Sequence, residues 1–154
     1  MADGVTVRTA AWDDLPTLLE LYRHLVPDDP LLNLEDAADR LERLLRYEGS
    51  AIYIAVKGAR AVSTCTLIVV PNLTRGGASY ALIENVVTHA EHRGHGYGKA
   101  VLEIAITKAW ELDCYKVMLL TGSKDPATLG FYQSVGFKQT KTGFETRRLP
   151  RRES

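Results

Sequence analysis

The chain has 154 residues, 45% of them hydrophobic, and its 19 basic residues balance its 19 acidic residues. This length suits one domain with a buried core, and the zero net charge argues against nucleic acid as the main partner, because such a partner requires a basic surplus. No apolar run approaches the length of a membrane span, and the N-terminus lacks the pattern of a signal peptide, so we expect a cytoplasmic protein with no membrane partner.

The first half of the chain predicts strands and two amphipathic helices. Alternating apolar residues indicate strands, and polar residues placed before apolar stripes of helical period indicate helix starts. The predicted elements are a strand over residues 5–10, a helix capped by Asp13 or Asp14, a helix capped by Asn33, and strands over residues 51–56, 61–70 and 79–88. The last three strands are expected to form an antiparallel meander.

Residues 84–112 are the stretch around which the chain is organised, because a strand runs into a glycine-rich turn and then into a long helix. Glycines let the backbone approach an anion, and the first N–H groups of a helix have no internal partner. Arg93 and Lys99 add positive charge on either side of Gly94, Gly96 and Gly98. A tight turn with a helix cap is the simpler interpretation, but three alternating glycines between two basic residues favour a phosphate-binding cradle.

Two common phosphate-binding motifs do not fit this turn. A P-loop needs a hydroxyl residue after its lysine, and Ala100 stands there instead. A Rossmann fingerprint needs a Gly-x-Gly-x-x-Gly spacing, whereas the chain has Gly-x-Gly-x-Gly.

The second half predicts a strand over residues 114–121, a helix that opens at Asp125 and closes at Gly136, a strand from Phe137 and a strand over residues 144–149. The two cysteines and four histidines lack metal-ligand spacing, so we expect no metal, and Cys65 and Cys114 are expected to be reduced. The whole order is mixed α/β. We expect a single domain over residues 1–149 and a mobile tail over residues 150–154.

Two motifs resemble the GNAT superfamily of N-acetyltransferases. Arg93, Gly96 and Gly98 match its Arg/Gln-x-x-Gly-x-Gly/Ala motif, and the segment from Phe131 to Phe137 matches its Phe-Tyr-x-x-x-Gly-Phe motif. The resemblance implies the GNAT fold, an α/β (α+β) architecture with a mixed, mostly antiparallel sheet of about seven strands and four helices. It also implies acetyl-CoA as cosubstrate.

The resemblance assigns cofactor contacts residue by residue. Backbone groups of the central strand pair with the pantetheine arm where that strand splays from the strand over residues 115–120, and amides of the glycine-rich turn hold the pyrophosphate. Lys124 stands where many relatives have an asparagine, and it offers a charge to a nucleotide phosphate. The implied cofactor-binding residues are Val86, Val87, Thr88, Arg93, Gly94, His95, Gly96, Tyr97, Gly98, Lys99 and Lys124.

Two residues are candidates for proton transfer. Glu84 lies in the middle of an apolar strand, where partial burial would raise its pKa toward the range of a general base, acting directly or through water. Alternatively, it is a structural glutamate paired with a basic neighbour. Tyr132 stands at the family's tyrosine, which the resemblance implies donates to the departing sulfur; the alternative is a tyrosine packed on the core with its hydroxyl in water.

The acceptor is less defined. Asp28 and Asp29 either attract a cationic amine or are solvated turn residues. Four short segments of the second half, residues 83–87, 114–116, 131–132 and 147–148, resemble the glucosamine-6-phosphate N-acetyltransferase branch. This resemblance implies that Lys116, Arg147 or Arg148 holds a sugar phosphate. That branch has an aspartate after its glutamate, where this chain has Asn85.

The leading hypothesis is a cytoplasmic, acetyl-CoA-dependent N-acetyltransferase that acts on a small primary amine. The main alternative is a CoA-binding regulatory or interaction module without turnover. A nucleotide-binding domain of another fold is excluded, because the chain lacks the P-loop and Rossmann motifs. Because many GNAT proteins pair through their C-terminal strands, where Phe137 and Phe144 lie here, we also expect a homodimer.

Overall fold

The computed structural model describes residues 4–151 of the chain. The chain falls into two compact units, divided between Leu119 and Leu120. The single domain over residues 1–149 therefore stays a prediction, and residues 152–154 of the predicted tail lie outside the described residues. Between residues 4 and 151, no helix has the length and apolar character needed to cross a membrane.

Strands and helices of the first unit follow the predicted order. They are β1 (Val5–Thr9), α1 (Leu15–Tyr22), α2 (Leu34–Leu45), β2 (Ala51–Lys57), β3 (Arg60–Val70), β4 (Tyr80–Thr88), α3 (Tyr97–Glu111) and β5 (Val117–Met118). The strands lie in one sheet in the order β1-β2-β3-β4-β5. Neighbours among the first four are antiparallel, which confirms the predicted meander, and β5 is parallel to β4.

Helices cover both faces of this sheet. On one face α1 contributes Leu18 and Leu21, each 1% exposed, to a core cluster that includes Ile54 of β2. Elsewhere in the core, α3 contacts β3, where the Cys65 thiol donates to the Val101 carbonyl oxygen at 3.5 Å. Burial raises the pKa of this thiol to about 12. Both cysteines of the chain are free and buried, as the sequence predicts.

Local capping contacts explain where the helices begin. The Asn33 side chain accepts a hydrogen bond from the Asp36 N–H at 2.8 Å, which confirms it as the cap of α2. Asp14 precedes α1, but its carboxylate accepts from the Ala11 N–H at 2.8 Å and from Arg8 at 2.7 and 2.8 Å. These hydrogen bonds fix the backbone immediately before α1. They also lower the pKa of Asp14, and the side-chain hydrogen bonds from Arg8 are the largest cause.

The second unit contains one helix, α4 (Pro126–Val135), among its described residues. The Asp125 side chain accepts from the Ala127 N–H at 3.0 Å, and Gly136 ends the helix with φ at 109°. Both ends match the prediction, because an aspartate cap and a left-handed glycine are local signals.

The last two predicted strands are not formed in the described residues. Residues 138–151 have no strand, and the strand predicted over residues 114–121 shortens to Val117–Met118. The side chains of Phe144 and Leu149 are 92% and 64% exposed. The segment therefore alternates in sequence but has no buried face to stabilise a strand. The fold is α+β with four helices, as expected, but its sheet has five strands in residues 4–151 where about seven were predicted.

Candidate active site

A β-bulge interrupts β4 at the predicted site. Thr66 of β3 pairs with Glu84, but Thr64 pairs with Val87, so β4 has one extra residue over this interval. Asn85 takes up the extra length with φ at 52°, in the left-handed region. Asparagine tolerates that region better than most residues, which explains why the bulge forms here.

The edge of β4 that faces β5 is paired over only two positions. Ala81 pairs with Val117 and Leu82 with Met118, and no further pair joins these two strands in the described residues. Residues 83–88 therefore lack a strand partner on that edge. This is the arrangement in which an extended ligand adds to a sheet edge through backbone hydrogen bonds, and it includes the predicted contacts Val86, Val87 and Thr88.

The glycine-rich turn meets the physical requirements of an anion cradle. Gly94 and Gly96 have φ values of 79° and 81°, and a Cβ built on either one meets no atom within 4 Å. Gly96 is the N-cap of α3, and it has no side chain with which to satisfy the first N–H groups of the helix. The N–H groups of Tyr97, Gly98 and Lys99 lie in this first turn, where an anion is stabilised by the helix dipole.

Neighbouring side chains hold the cradle in position. The Arg93 Nε donates to the Thr88 carbonyl oxygen at 3.2 Å, which ties the turn to the end of β4. Lys99 is exposed and lies 3.8 Å from Glu103, one helical turn along. His95 is also exposed, and its ring stacks on the buried ring of Tyr97 with 5.6 Å between centroids. The predicted members of the turn thus lie together at the start of α3, and their cofactor-binding roles stay predictions.

A histidine pair supports the same turn and was not identified from the sequence. His89 is 6% exposed, and its ring lies 4.0 Å from that of His24, which follows α1. The His89 Nδ1 accepts from the Glu91 N–H at 3.1 Å, and the His24 Nδ1 lies 3.4 Å from the Ala90 N–H. Burial, followed by the nearby His24, lowers the pKa of His89. His89 thus caps the short turn that leads to Arg93.

Glu84 is exposed, which contradicts the prediction of a partly buried carboxylate. Glu84 shares a face of β4 with Tyr80 and Leu82, which are only half-buried, whereas the intervening Ala81 and Ile83 are the buried positions. Its position still suits proton transfer. Glu84 is the cross-strand partner of Thr66, and cross-strand partners project from the same face of a sheet. The carboxylate is therefore on the face that α1 and α2 cover.

A pocket of about 250 Å³ opens on this face, between α1, α2 and the sheet. Thr66 and Asn85 line its floor, so it reaches both the bulge and the cross-strand partner of Glu84. Tyr22 contributes its ring and is hydrogen-bonded to Thr66 and Thr64; burial raises the pKa of this phenol. Sequence periodicity places these residues in the core and does not reveal the space between them.

The predicted acceptor residues of the first unit are dispersed. Asp28 is exposed and Asp29 half-buried, in the turns after α1, where the Asp29 N–H donates to the Val26 carbonyl oxygen at 3.2 Å. Lys116 precedes β5, and its ammonium lies 5.5 and 5.4 Å from the ring centroids of Tyr80 and Tyr115. Neither aspartate lines the pocket.

The remaining predicted residues belong to the second unit. Tyr132 is half-buried on α4, with its ring 5.1 Å from that of Phe131 and 6.2 Å from that of Phe137. Lys124 is exposed just before the helix. The Arg147 Nε lies 3.1 Å from Glu145, and Arg148 is exposed. Their roles stay predictions from the family motif.

Comparisons with known proteins agree with this architecture. The model of the Acetyltransferase (GNAT) family matches residues 17–137. Glucosamine 6-phosphate N-acetyltransferase of Trypanosoma brucei brucei is 32% identical over 134 residues, covering 86% of this chain and 88% of that protein. A solved structure from Agrobacterium tumefaciens, described as a candidate acetyltransferase, is 49% identical with a TM-score of 0.88, covering 93% of this chain and 99% of that one.

A more distant structure shares the fold alone. Glucosamine-6-phosphate N-acetyltransferase from Arabidopsis thaliana is 20% identical, with a TM-score of 0.86 over 94% of this chain and 98% of that one. Together with the Agrobacterium structure, it confirms the predicted fold class.

Proposed function

Because the chain belongs to the GNAT acetyltransferase family, and so to the N-acetyltransferases, we propose that it moves the acetyl group of acetyl-CoA to the nitrogen of a small primary amine. The observation that carries this proposal is the glycine cradle at the start of α3, directly beyond the bulged and half-unpaired strand β4. A cofactor with a pyrophosphate at one end and an extended amide-bearing arm at the other fits these two adjacent features.

The chain's own groups have distinct tasks in this proposal. The N–H groups of Tyr97, Gly98 and Lys99 donate to the pyrophosphate, and the charge of Lys99 adds to the dipole of α3. The free edge of β4 at Val86 and Val87 pairs with the pantetheine arm and orients the thioester carbonyl. Buried residues such as Val101 and Leu102 anchor α3, which positions the first turn of the helix.

The chemical step joins nitrogen to the acetyl carbon and breaks the carbon–sulfur bond. The amine must lose one proton and the departing thiolate must gain one, so the products are the amide and free CoA. Glu84 receives the amine's proton, directly or through water, from its place at the bulge. Protonation of the sulfur is the role that the family motif predicts for Tyr132.

Glucosamine 6-phosphate is the acceptor that the named relatives suggest. In this proposal Lys116 or Arg147 holds the phosphate, with Arg148 as a third candidate. Two features of the chain argue against glucosamine 6-phosphate as the acceptor. Asn85 replaces the branch's aspartate, and Lys116 lies close to two aromatic rings. We therefore propose the wider class of small primary amines, within which experiment must identify the acceptor.

The alternative of a CoA-binding module without turnover makes a different experimental prediction. Free thiol is measured with acetyl-CoA and a panel of amines that includes glucosamine 6-phosphate, amino acids and polyamines. Amine-dependent thiol release supports the enzyme. Tight acetyl-CoA binding by calorimetry, with no release above the hydrolysis rate for any amine, supports the module instead.

We also propose a cytoplasmic homodimer. The free, buried thiols of Cys65 and Cys114 suit a reducing compartment. Phe144 and Leu149 expose large apolar side chains in residues 138–151, the region in which the family resemblance places the dimer contacts. Light scattering should give twice the mass of the chain at micromolar concentration, and a monomer mass would rule the dimer out.

A further inference from the structure

We infer that the acceptor amine carries an apolar substituent, which binds in the pocket between α1, α2 and the sheet while its nitrogen lies at the bulge of β4. This inference rests on the proposed acetyltransferase function and narrows its substrate class. It favours an alkyl or aryl amine over a sugar phosphate.

The walls of the pocket are mostly apolar. The volume of about 250 Å³ lies just below the range of sites for drug-sized ligands, so it suits a small molecule. Both helices, the loop between them and β2 contribute hydrophobic side chains, among them Leu15, Leu19, Leu32, Leu41, Leu44 and Ile52. An apolar group gains by leaving water for such a wall, whereas a hydroxylated ring would leave its polar groups unpaired.

Two polar side chains at the pocket already have partners. Tyr22 hydrogen-bonds to Thr66 and Thr64, so its phenol does not require a ligand as partner. Arg40 is the charged residue of the lining, and its guanidinium pairs with the neighbouring carboxylate of Asp39. Among the described residues, the lining therefore offers an anionic occupant one cation, whose charge Asp39 already balances.

The position of the pocket connects it to the reaction. Asn85, the bulge residue, lines it, and so does Thr66, whose cross-strand partner is Glu84. A primary amine whose apolar group fills the pocket therefore has its nitrogen near the proposed base. The same bulge adjoins the free edge of β4, where the thioester is proposed to lie.

The test uses linear amines from ethylamine to hexylamine. If the chain of the amine enters the pocket, kcat/KM should rise about fourfold with each added methylene until the pocket is full. Calorimetric affinity for the same amines, measured with CoA present, should rise in parallel. The affinity measurement does not depend on turnover, so it tests the pocket even if acetyl transfer is not observed.

A matched pair of variants assigns the effect to the pocket. Leu32 and Leu45 are both 44% exposed, but Leu32 lines the pocket and Leu45 does not. Leu32→Gln should weaken hexylamine binding about fivefold and leave ethylamine and acetyl-CoA binding unchanged. Leu45→Gln should change none of these.

The possible results separate the two proposals. Turnover of hydrophilic amines with no dependence on chain length would overturn the pocket inference and leave the acetyltransferase standing. A higher kcat/KM for glucosamine 6-phosphate than for every alkylamine would overturn it too. Chain-length-dependent binding without turnover would support the pocket and contradict the enzyme.

Discussion

Gly96 gives the sharpest test of the acetyl-CoA cradle, because the chain offers a matched control for its backbone geometry. Gly96 has φ at 81° and Gly58, in the turn between β2 and β3, has φ at 63°. A Cβ at either position meets no atom within 4 Å, so alanine has the same local effect at both. Each Gly→Ala change should cost about 1 kcal/mol, because alanine is disfavoured in the left-handed region.

The two variants should differ in their response to acetyl-CoA. At a ligand concentration of 100 times Kd, binding stabilises a folded protein by about 2.7 kcal/mol, which raises the Tm of a chain of this size by about 5–10 °C. Loss of a charge-assisted hydrogen bond to the pyrophosphate costs about 1.5–3 kcal/mol, or roughly ten- to hundredfold in Kd. In Gly96→Ala the ligand-induced shift should therefore fall to half of the wild-type value or less.

The assay is thermal unfolding with and without acetyl-CoA, followed by calorimetric titration of both variants. We expect Gly58→Ala to keep the full shift and the wild-type Kd, although its unliganded Tm drops by about 2–4 °C. Equal Kd values for Gly96→Ala and Gly58→Ala would refute the cradle. The open space at Gly96 would then have no role in binding acetyl-CoA.

Three further variants test the catalytic and structural assignments. Glu84→Gln should lower kcat by about a hundredfold or more while acetyl-CoA affinity is unchanged, and Glu48→Gln, on an exposed residue outside the site, should have wild-type kinetics. Tyr132→Phe should lower kcat with little effect on acetyl-CoA affinity; an equal loss of both would indicate a packing role. The pKa of Asp14 is lowered in the folded state, so its carboxylate contributes stability that is present above the unfolded pKa of about 3.9 and is lost as the pH falls through the folded pKa. Asp14→Asn should cost about 1.5–3 kcal/mol at pH 7 and reduce the loss of Tm below about pH 4, unlike Asp39→Asn on the surface of α2.

Signals confined to a few neighbouring residues predicted the structure well. Asn33, Asp125 and Gly136 mark helix ends because their side chains or φ angles act within one turn of the chain. The buried stripe of α3, including Val101 and Ala105, follows from helical period alone. The glycine turn between β4 and α3 was likewise predicted, because its closely spaced glycines are a local signal at a strand-to-helix junction.

The sequence analysis missed, or predicted wrongly, the features that depend on contacts between distant segments of the chain. The exposure of Glu84 depends on how far the rest of the chain covers its face of β4, which alternation within β4 does not show. The strand predicted over residues 144–149 alternates correctly but does not form in the described residues, because strand stability depends on a partner and a buried face. The pocket, too, joins residues as far apart in sequence as Leu15 and Asn85, so no local pattern reveals it.

The family resemblance and the structure assign different roles to Asn85, and substitutions can distinguish these two roles. The resemblance to the glucosamine-6-phosphate branch suggests a side-chain role, since that branch has an aspartate there. The structure suggests a backbone role, because φ at 52° sustains the bulge that positions Glu84. Asn85→Gly removes the side chain but keeps the left-handed backbone accessible, whereas Asn85→Ala removes the side chain and costs about 1 kcal/mol at that φ. If the backbone matters, Asn85→Ala should lower both Tm and kcat, and Asn85→Gly should retain a kcat close to the wild-type value. An equal fall of kcat in both variants, with Tm retained in Asn85→Gly, would instead assign the amide side chain to the acceptor.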